Sequence, residues 1–477
     1  MSKSKLNQLN LYQAQQGLQS GQFSATELVQ ACLTEIENTE KDVHAFVTIF
    51  ADQALAQAKQ ADKEIVNNPN IFKTKPLFGL PIALKDNYLT KGQRTTASSK
   101  VLDDYLPQYD ATVTNKLKQA GAIILGKTNM DAWAHGSSTE TSAYGPTKNP
   151  RDLTRIPGGS SGGSSAAVVA NYVLAAMGTE TAGSIRGPAS WTGHVGLKPT
   201  YGRLSRYGII AMGSSLDSPG PMTKTVYDAA WLLALTAGHD SHDATTASIE
   251  VPSYHLQLNP DRVKGLKIGL PKEYFLAEAQ PGINQLVKQA ALELEKMGAT
   301  LTEVSLPTTK LGIATYTVVQ RSEVFSNLAR YDGIRYGHDR SYFGEEAKRR
   351  MMLGAHALKI SQDGKYYRLA QRVRQKMLQD FQQAFSQVDL LLAPTMPSIA
   401  PKLGASKDQA MFGELADMLQ EPSALTGLTG ITLPCGLVEN MPVGFQLIGN
   451  HFQEQLILDI AYAYEQNIDW SQNVYQK

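Results

Sequence analysis

The chain has 477 residues, of which 42% are hydrophobic and 19% charged. That is ample material for a large core and outside the composition of disordered or fibrous chains. Forty-five Lys+Arg against 44 Asp+Glu leave a net charge of +1, so no overall field marks a dedicated nucleic-acid binder or a protein drawn to anionic membranes. Two cysteines, Cys32 and Cys435, exclude a disulfide framework and a four-thiolate zinc site. Both sit in apolar stretches and read as small hydrophobes.

The first residues, MSKSKLNQLNLYQAQQ, lack the apolar centre of a signal peptide. Residues 24–38 read as a helix: Ser24 and Glu27 form a capping box, and Leu28, Ala31, Cys32 and Ile36 share a face. LPIAL at 80–84 is a short apolar strand that delivers Lys85, Asp86 and Asn87 at its end. TVTNKLKQAGAIILGKTN reads as helix, glycine turn and buried strand. The uncharged run Ile156–Thr179 opens with Pro157-Gly158-Gly159-Ser160-Ser161-Gly162-Gly163, too polar to begin a membrane helix. The expectation is therefore a cytoplasmic protein with no membrane association. Further on come a strand (LKIGL), a helix (QLVKQAALELEKMG) and another strand. An exposed amphipathic helix follows at 366–385, then buried strands in LLLAPTMP, GITLPCG and VGFQLIG, and a closing helix at 453–466. Short uncharged strands alternating with helices predict an α/β protein with a mainly buried sheet. There is no internal repeat and no long linker, so residues 1–477 are expected to form a single domain.

The segment 156–220 differs from the rest in its density of Gly, Ser and Thr. It holds two loops, Gly158–Ser164 and Gly178–Arg186. Glycine-rich loops let backbone N–H groups converge on an anion or oxyanion. A phosphate loop is one reading, but GxxxxGK[ST] is absent and neither loop has an adjacent lysine. A flexible structural loop is another. A serine nucleophile needs a base. No histidine stands in a recognisable triad context, and GxSxG does not fit. Lysine serves when desolvation brings its pKa toward neutrality, and Lys85 follows a buried run. Its alternative is a strand-end lysine reaching solvent.

LPIALKDN, PGGSSGGS and AGSIRGPA, in this order, resemble the amidase signature family. The resemblance implies an amidase-signature fold: one large mixed β-sheet core covered by helices on both faces. The catalytic core would lie at about 75–230, and a glutamine-pocket and C-terminal portion at about 260–470. It implies a Ser-Ser-Lys triad with Ser184 as nucleophile, Ser160 as bridging serine in a cis Gly159–Ser160 peptide, and Lys85 as base. The N–H groups of Thr181, Ala182, Gly183 and Ser184 would form the oxyanion hole, and an acyl-enzyme would form on Ser184. TKGQRTTASS, GKTNMDAWAHGSSTETSAYGPTKNP, VGLKPTYGRLSRYGIIAMGSSLDSPGPMT and SNLARYDGIRYG are similar to one branch of that family, the A subunits of glutamyl-tRNA(Gln)/aspartyl-tRNA(Asn) amidotransferases. That likeness implies a glutamine pocket of Tyr316, Arg350 (or its neighbour Arg349) and Asp417. It also implies B and C partner subunits, tRNA contacted mainly through the partner, and ATP and Mg expected on the partner, with no cofactor in this chain.

The sequence departs from that branch at Glu180, Ala182, Gly187, His135 and Thr192, and in a short stretch between Tyr336 and Phe343. A stand-alone amidase for small carboxylic amides is the alternative, and a catalytically silent scaffold a third reading that the intact trio opposes. His239-Asp240-Ser241-His242-Asp243 reads as a solvated loop rather than a metal site. His135 and His194 are expected to be satisfied pocket or core histidines. Arg186 is expected to hold its loop by pairing with Glu180 or Asp217.

Overall fold

The computed structural model describes residues 3–334, 338–359, 363–407 and 411–468. Tyr336, at one end of the shortened stretch, lies outside the described residues. The capping box at Ser24 and Glu27 forms as read, and opens a helix over Ala25–Val43. Its Leu28, Cys32 and Ile36 are buried, which puts the predicted apolar face against the core.

Eleven strands among the described residues make one mixed sheet. They are β1 (Phe46–Ile49), β2 (Pro81–Lys85), β3 (Ile123–Thr128), β4 (Ala175–Glu180), β5 (Val195–Lys198), β6 (Ser218–Thr223), β7 (Lys267–Pro271), β8 (Thr300–Val304), β9 (Leu390–Pro394), β10 (Thr429–Val438) and β11 (Met441–Gly449). The spatial order is β1-β3-β2-β4-β6-β5-β10-β11-β9-β7-β8. The strands up to residue 223 therefore occupy one half of the sheet and those from 267 onward the other. One antiparallel ladder joins the halves, with Gly430, Ile431 and Thr432 of β10 opposite Lys198, Leu197 and Gly196 of β5.

Strands β2, β3 and β4 run parallel, and every residue in them is buried. That is why these segments read as continuous apolar runs rather than alternating ones. Parallel strands end on the same side. Lys85, the last residue of β2, and Glu180, the last of β4, therefore arrive at one edge of the sheet, where ligands bind in open α/β sheets. The helix Gly162–Val169 follows the Gly/Ser loop and is buried throughout. Its composition (GGSSAAVV) lets backbones approach where larger side chains would not fit. No helix among the described residues is long and apolar enough to cross a membrane.

Replacing Ser24 by Ala removes the hydroxyl that accepts from the Glu27 N–H at 3.0 Å. The expected cost is about 1 kcal/mol, read as a lower denaturant midpoint in urea.

Candidate active site

Lys85 is fully buried at the end of β2. Its Nζ lies 2.7 Å from Ser160 Oγ, 2.8 Å from Ser161 Oγ and 3.2 Å from the Thr179 carbonyl oxygen. It makes no ion pair among the described residues. Burial pushes its pKa down to about 7, against an opposing pull from Asp131, Asp217 and Glu180. The strand-end lysine that reaches solvent is thus not what forms.

The proton count in this cluster is determined by its partners. A hydroxyl has one proton to give. Ser161 Oγ donates that proton to the Thr179 carbonyl at 3.2 Å and accepts from the Thr179 N–H at 3.3 Å. Ser161 must therefore accept from Lys85. A neutral lysine amine has two protons and one lone pair. With the protons on Ser161 and the Thr179 carbonyl, the lone pair is left for Ser160, whose hydroxyl has no other partner among the described residues. A neutral Lys85 is thereby arranged to take the Ser160 proton.

The peptide Gly159–Ser160 is cis. The loop sits tightly on Asp131: a Cβ at Gly159 would meet Asp131 Oδ2 at 2.1 Å and the Ser138 nitrogen at 2.6 Å, so only glycine fits there. Asp131 is itself held by the N–H groups of Ser138 and Thr139 and by the Thr141 hydroxyl. Sequence reasoning passed over it, because a lone aspartate after a buried strand carries no pattern.

Ser184 is almost wholly buried. Its carbonyl accepts from the Ser161 N–H at 3.2 Å, which ties the second loop to the first. Ser184 Oγ makes no hydrogen bond among the described residues, so its hydroxyl is near the cluster but not joined to Ser160. The backbone N–H groups of residues 181–184 have no acceptor among the described residues. Gly183 is packed closely: a Cβ there would meet Gln420 Oε1 at 2.5 Å and Asp417 Oδ1 at 2.7 Å. Ala182 has an ordinary backbone, with no positive φ, so its extra methyl adds no strain.

The loop is held by a buried ion pair. Arg186 donates to Glu180 Oε1 from Nε at 2.8 Å and Nη2 at 2.6 Å, and Glu180 Oε2 accepts the N–H groups of Ile185 and Arg186. Of the two expected partners, Glu180 is the one used. Asp217 instead accepts from the Thr181 hydroxyl at 2.7 Å. Arg186 also reaches the second half of the sheet, through Ser423 Oγ at 3.0 Å and Gln446 Oε1 at 2.6 Å.

Of the three residues expected to form a glutamine pocket, Asp417 borders this loop at Gly183, and the charges of Arg350 and Asp417 act on Tyr316. Tyr316, Arg350 and Asp417 are each buried to 95% or more. Arg350 Nε donates to Glu346 at 2.6 Å, and Nη2 lies 3.8 Å from Glu414. Arg349 points outward, its side chain half exposed and paired with Glu346. Of the Lys348-Arg349-Arg350 run, Arg350 alone is buried. Asp417 Oδ2 accepts from the Ser137 hydroxyl at 2.7 Å. Arg321 pairs with Glu414 at 2.7 Å, a buried pair that the sequence did not single out.

His194 is satisfied as expected, through Ser165 Oγ at 2.7 Å and the Val195 carbonyl at 2.9 Å. His135 is a correction: it is fully buried with neither ring nitrogen partnered among the described residues. Burial, then Arg350 and Arg321, hold it neutral, well below its ordinary pKa. The 239–243 loop is less solvated than expected. Asp240 accepts from Thr112 and Ser205 and Asp243 from Arg206, although His242 remains exposed.

A family model described as Amidase matches residues 27–458. The curated A subunit of the glutamyl-tRNA(Gln) amidotransferase of Carboxydothermus hydrogenoformans is 46% identical over 469 residues, 95% of this chain and 96% of that protein. The solved A subunit of the glutamyl-tRNA(Gln) amidotransferase of Thermotoga maritima superposes with a TM-score of 0.82 at 37% identity, covering 98% of this chain and 97% of that one. The native peptide amidase of Stenotrophomonas maltophilia also gives a TM-score of 0.82, at 30% identity over 96% of both chains.

Replacing Arg186 by Met strands the buried Glu180 carboxylate and cuts the link to Ser423 and Gln446. The expected destabilisation is about 3–5 kcal/mol, measured as the change in unfolding free energy in urea.

Proposed function

The chain belongs to the amidase family, and from that premise we propose that it hydrolyses a carboxamide at Ser184 with Lys85 as base. The observation that carries the reading is the buried amine 2.7 Å from Ser160 Oγ, with its lone pair left for that hydroxyl.

When the substrate seats, Ser184 turns its hydroxyl onto Ser160 Oγ. Such contacts commonly close only in the substrate complex. Lys85 takes the Ser160 proton while Ser160 takes that of Ser184, and Ser184 Oγ attacks the amide carbon. The oxyanion is received by the N–H groups of residues 181–184, whose charge-stabilising donors lower the barrier by several kcal/mol. The proton returns by the same path to the leaving nitrogen. Ammonia departs and an acyl-enzyme remains on Ser184; water then gives its proton to Ser160 as Ser160 gives its own to Lys85, attacks the ester carbon, and the proton returns to Ser184 Oγ as the acid leaves.

The substrate we propose is glutamine. The terminal nitrogens of Arg350 suit a bidentate grip on the α-carboxylate, Asp417 suits the α-ammonium, and Tyr316 lines the same space. The near full-length likeness to the A subunits of amidotransferases supports a place in a larger complex. B and C partners would pass the ammonia to Glu-tRNA(Gln) or Asp-tRNA(Asn), hold ATP and Mg, and make most of the tRNA contacts. A stand-alone amidase for small amides is the second reading, favoured by the likeness to a peptide amidase. Ammonia release from glutamine only with B and C partners present supports the complex. Fast turnover of simple amides without partners, and indifference to glutamine, supports the second reading.

Ser184→Ala is expected to abolish ammonia release, and Lys85→Ala to lower kcat by about 10²–10⁴-fold, both measured by coupled ammonia assay on folded protein. Arg350→Ala is expected to raise KM for glutamine by roughly 10–100-fold, the loss of a hydrogen bond between charged groups. An unchanged KM would remove Arg350 from the carboxylate grip.

A further inference from the structure

The pocket holds more acidic groups than glutamine's ammonium needs from Asp417 alone. Glu421 opens the short helix Glu421–Leu425, is fully buried, and has neither carboxylate oxygen partnered among the described residues. Asp417 Oδ1 and Gln420 Oε1 are likewise buried and unpartnered, and both border Gly183, next to Ser184. The open groups on this segment are therefore all acceptors.

Three guanidiniums stand nearby, and all are taken: Arg186, which donates to the Gln420 carbonyl, is paired with Glu180 at 2.6 Å. Arg321 is paired with Glu414 at 2.7 Å and Arg350 with Glu346 at 2.6 Å. Of the acids on this segment and its neighbours, Asp417 and Glu421 make no ion pair among the described residues. Burial, then the neighbouring Asp417 and Glu414, push the Glu421 carboxyl well above its ordinary range, against Arg350 and Arg321, which places it in the same group as those residues. A second element supplies an independent sign of a ligand. On the helix Gly312–Leu328, Gly312, Tyr316 and Gln320 stand one turn apart on one face. A Cβ at Gly312 would lie 3.3 Å from the Pro422 ring and 3.9 Å from Glu421 Oε2, so this helix packs directly against the segment that carries Glu421. Gln320 is fully buried with both amide atoms unpartnered.

Burial holds Asp417 and Glu421 toward their protonated forms, and a ligand cation seated against them relieves the cost of ionising them. We propose that Glu421 is a specificity residue which, with Asp417, holds the ammonium group of an amide substrate, so that the pocket selects amides carrying a free amine. The proposal rests on the reading of these residues as the acyl-side pocket of Ser184. It makes the ammonium the principal handle on the substrate, with the carboxylate grip at Arg350 secondary because Glu346 and Glu414 already compete for that guanidinium.

The test compares 4-aminobutyramide with butyramide. The former carries its ammonium as far from the scissile carbonyl as glutamine carries its own. Both are assayed by ammonia release on the full chain, with the B and C partners if glutamine hydrolysis requires them, alongside L-glutamine itself. The unaltered protein is expected to prefer 4-aminobutyramide by at least tenfold in kcat/KM. Glu421→Gln is expected to reduce that ratio by roughly 10–100-fold, and Glu421→Asp, which keeps the charge on a shorter arm, by less. A ratio near one in the unaltered protein overturns the proposal. So does a ratio unchanged by Glu421→Gln, because a purely structural role would lower both rates together. If Glu421→Gln does not fold, a Glu421→Asp ratio equal to that of the unaltered protein overturns it. Glutamine left unhydrolysed while the ratio behaves as expected sinks the glutamine assignment and leaves Glu421 in place.

Discussion

An amine carried out of water at the end of a central strand, with hydroxyls and a carbonyl as partners in place of a carboxylate, is what the rest of the site is built around. A lysine in water would be charged at neutral pH and have no lone pair to offer. Burial brings its pKa down to about 7, so that a large share of the molecules carry a neutral amine at neutral pH, and the partners decide where the lone pair goes. Ser161 is committed to Thr179, so Ser160 is the hydroxyl that faces the base. Asp131, Asp217 and Glu180 oppose the shift and keep the amine near neutrality rather than far below it. A base with pKa close to the working pH gives the best compromise between being unprotonated and being strong enough.

The placement of the site follows from the sheet. Each half supplies part of it: Lys85, the Gly/Ser loop and Ser184 come from the first, Asp417, Gln420 and Glu421 from the second. The halves meet along β5 and β10, and Arg186 spans that join, bound to Glu180 on one side and to Ser423 and Gln446 on the other. Buried ion pairs contribute little net stability but impose geometry, because removing one partner strands the other. Here the geometry imposed is the position of the loop that follows β4 relative to the acceptors of the second half.

Much of the fold was legible because its signals are local. The capping box at Ser24, the glycine turn at Gly121 and the uncharged strands each announce themselves within a few residues. The link between Lys85 and the two serines was not local, and no spacing rule connects β2 with loops in another part of the chain. It came from a resemblance, and the structure then brought Lys85 and Ser160 together. What the sequence hid were partners whose meaning depends on burial. Arg349 and Arg350 are indistinguishable as letters, yet one is exposed and the other buried. Glu421 and Gln320 look like ordinary helix residues, and His135 looks like a core histidine. Their lack of partners exists only in three dimensions. Asp217 was a plausible partner for Arg186 on charge alone, but Thr181 reaches it first.

The most direct test of the neutral buried amine is the pH dependence with which a fluorophosphonate inactivates Ser184. The folded pKa of Lys85 is lowered from 10.5 to about 7, so the reactive neutral form is lost as pH falls below 7 and is fully present above it. The second-order inactivation rate is predicted to rise about tenfold per pH unit below neutrality and to level off above about pH 7. It should lose that inflection in Lys85→Met. A rate that is flat from pH 5.5 to 9, or that climbs without a break toward the ordinary lysine pKa, would contradict the account.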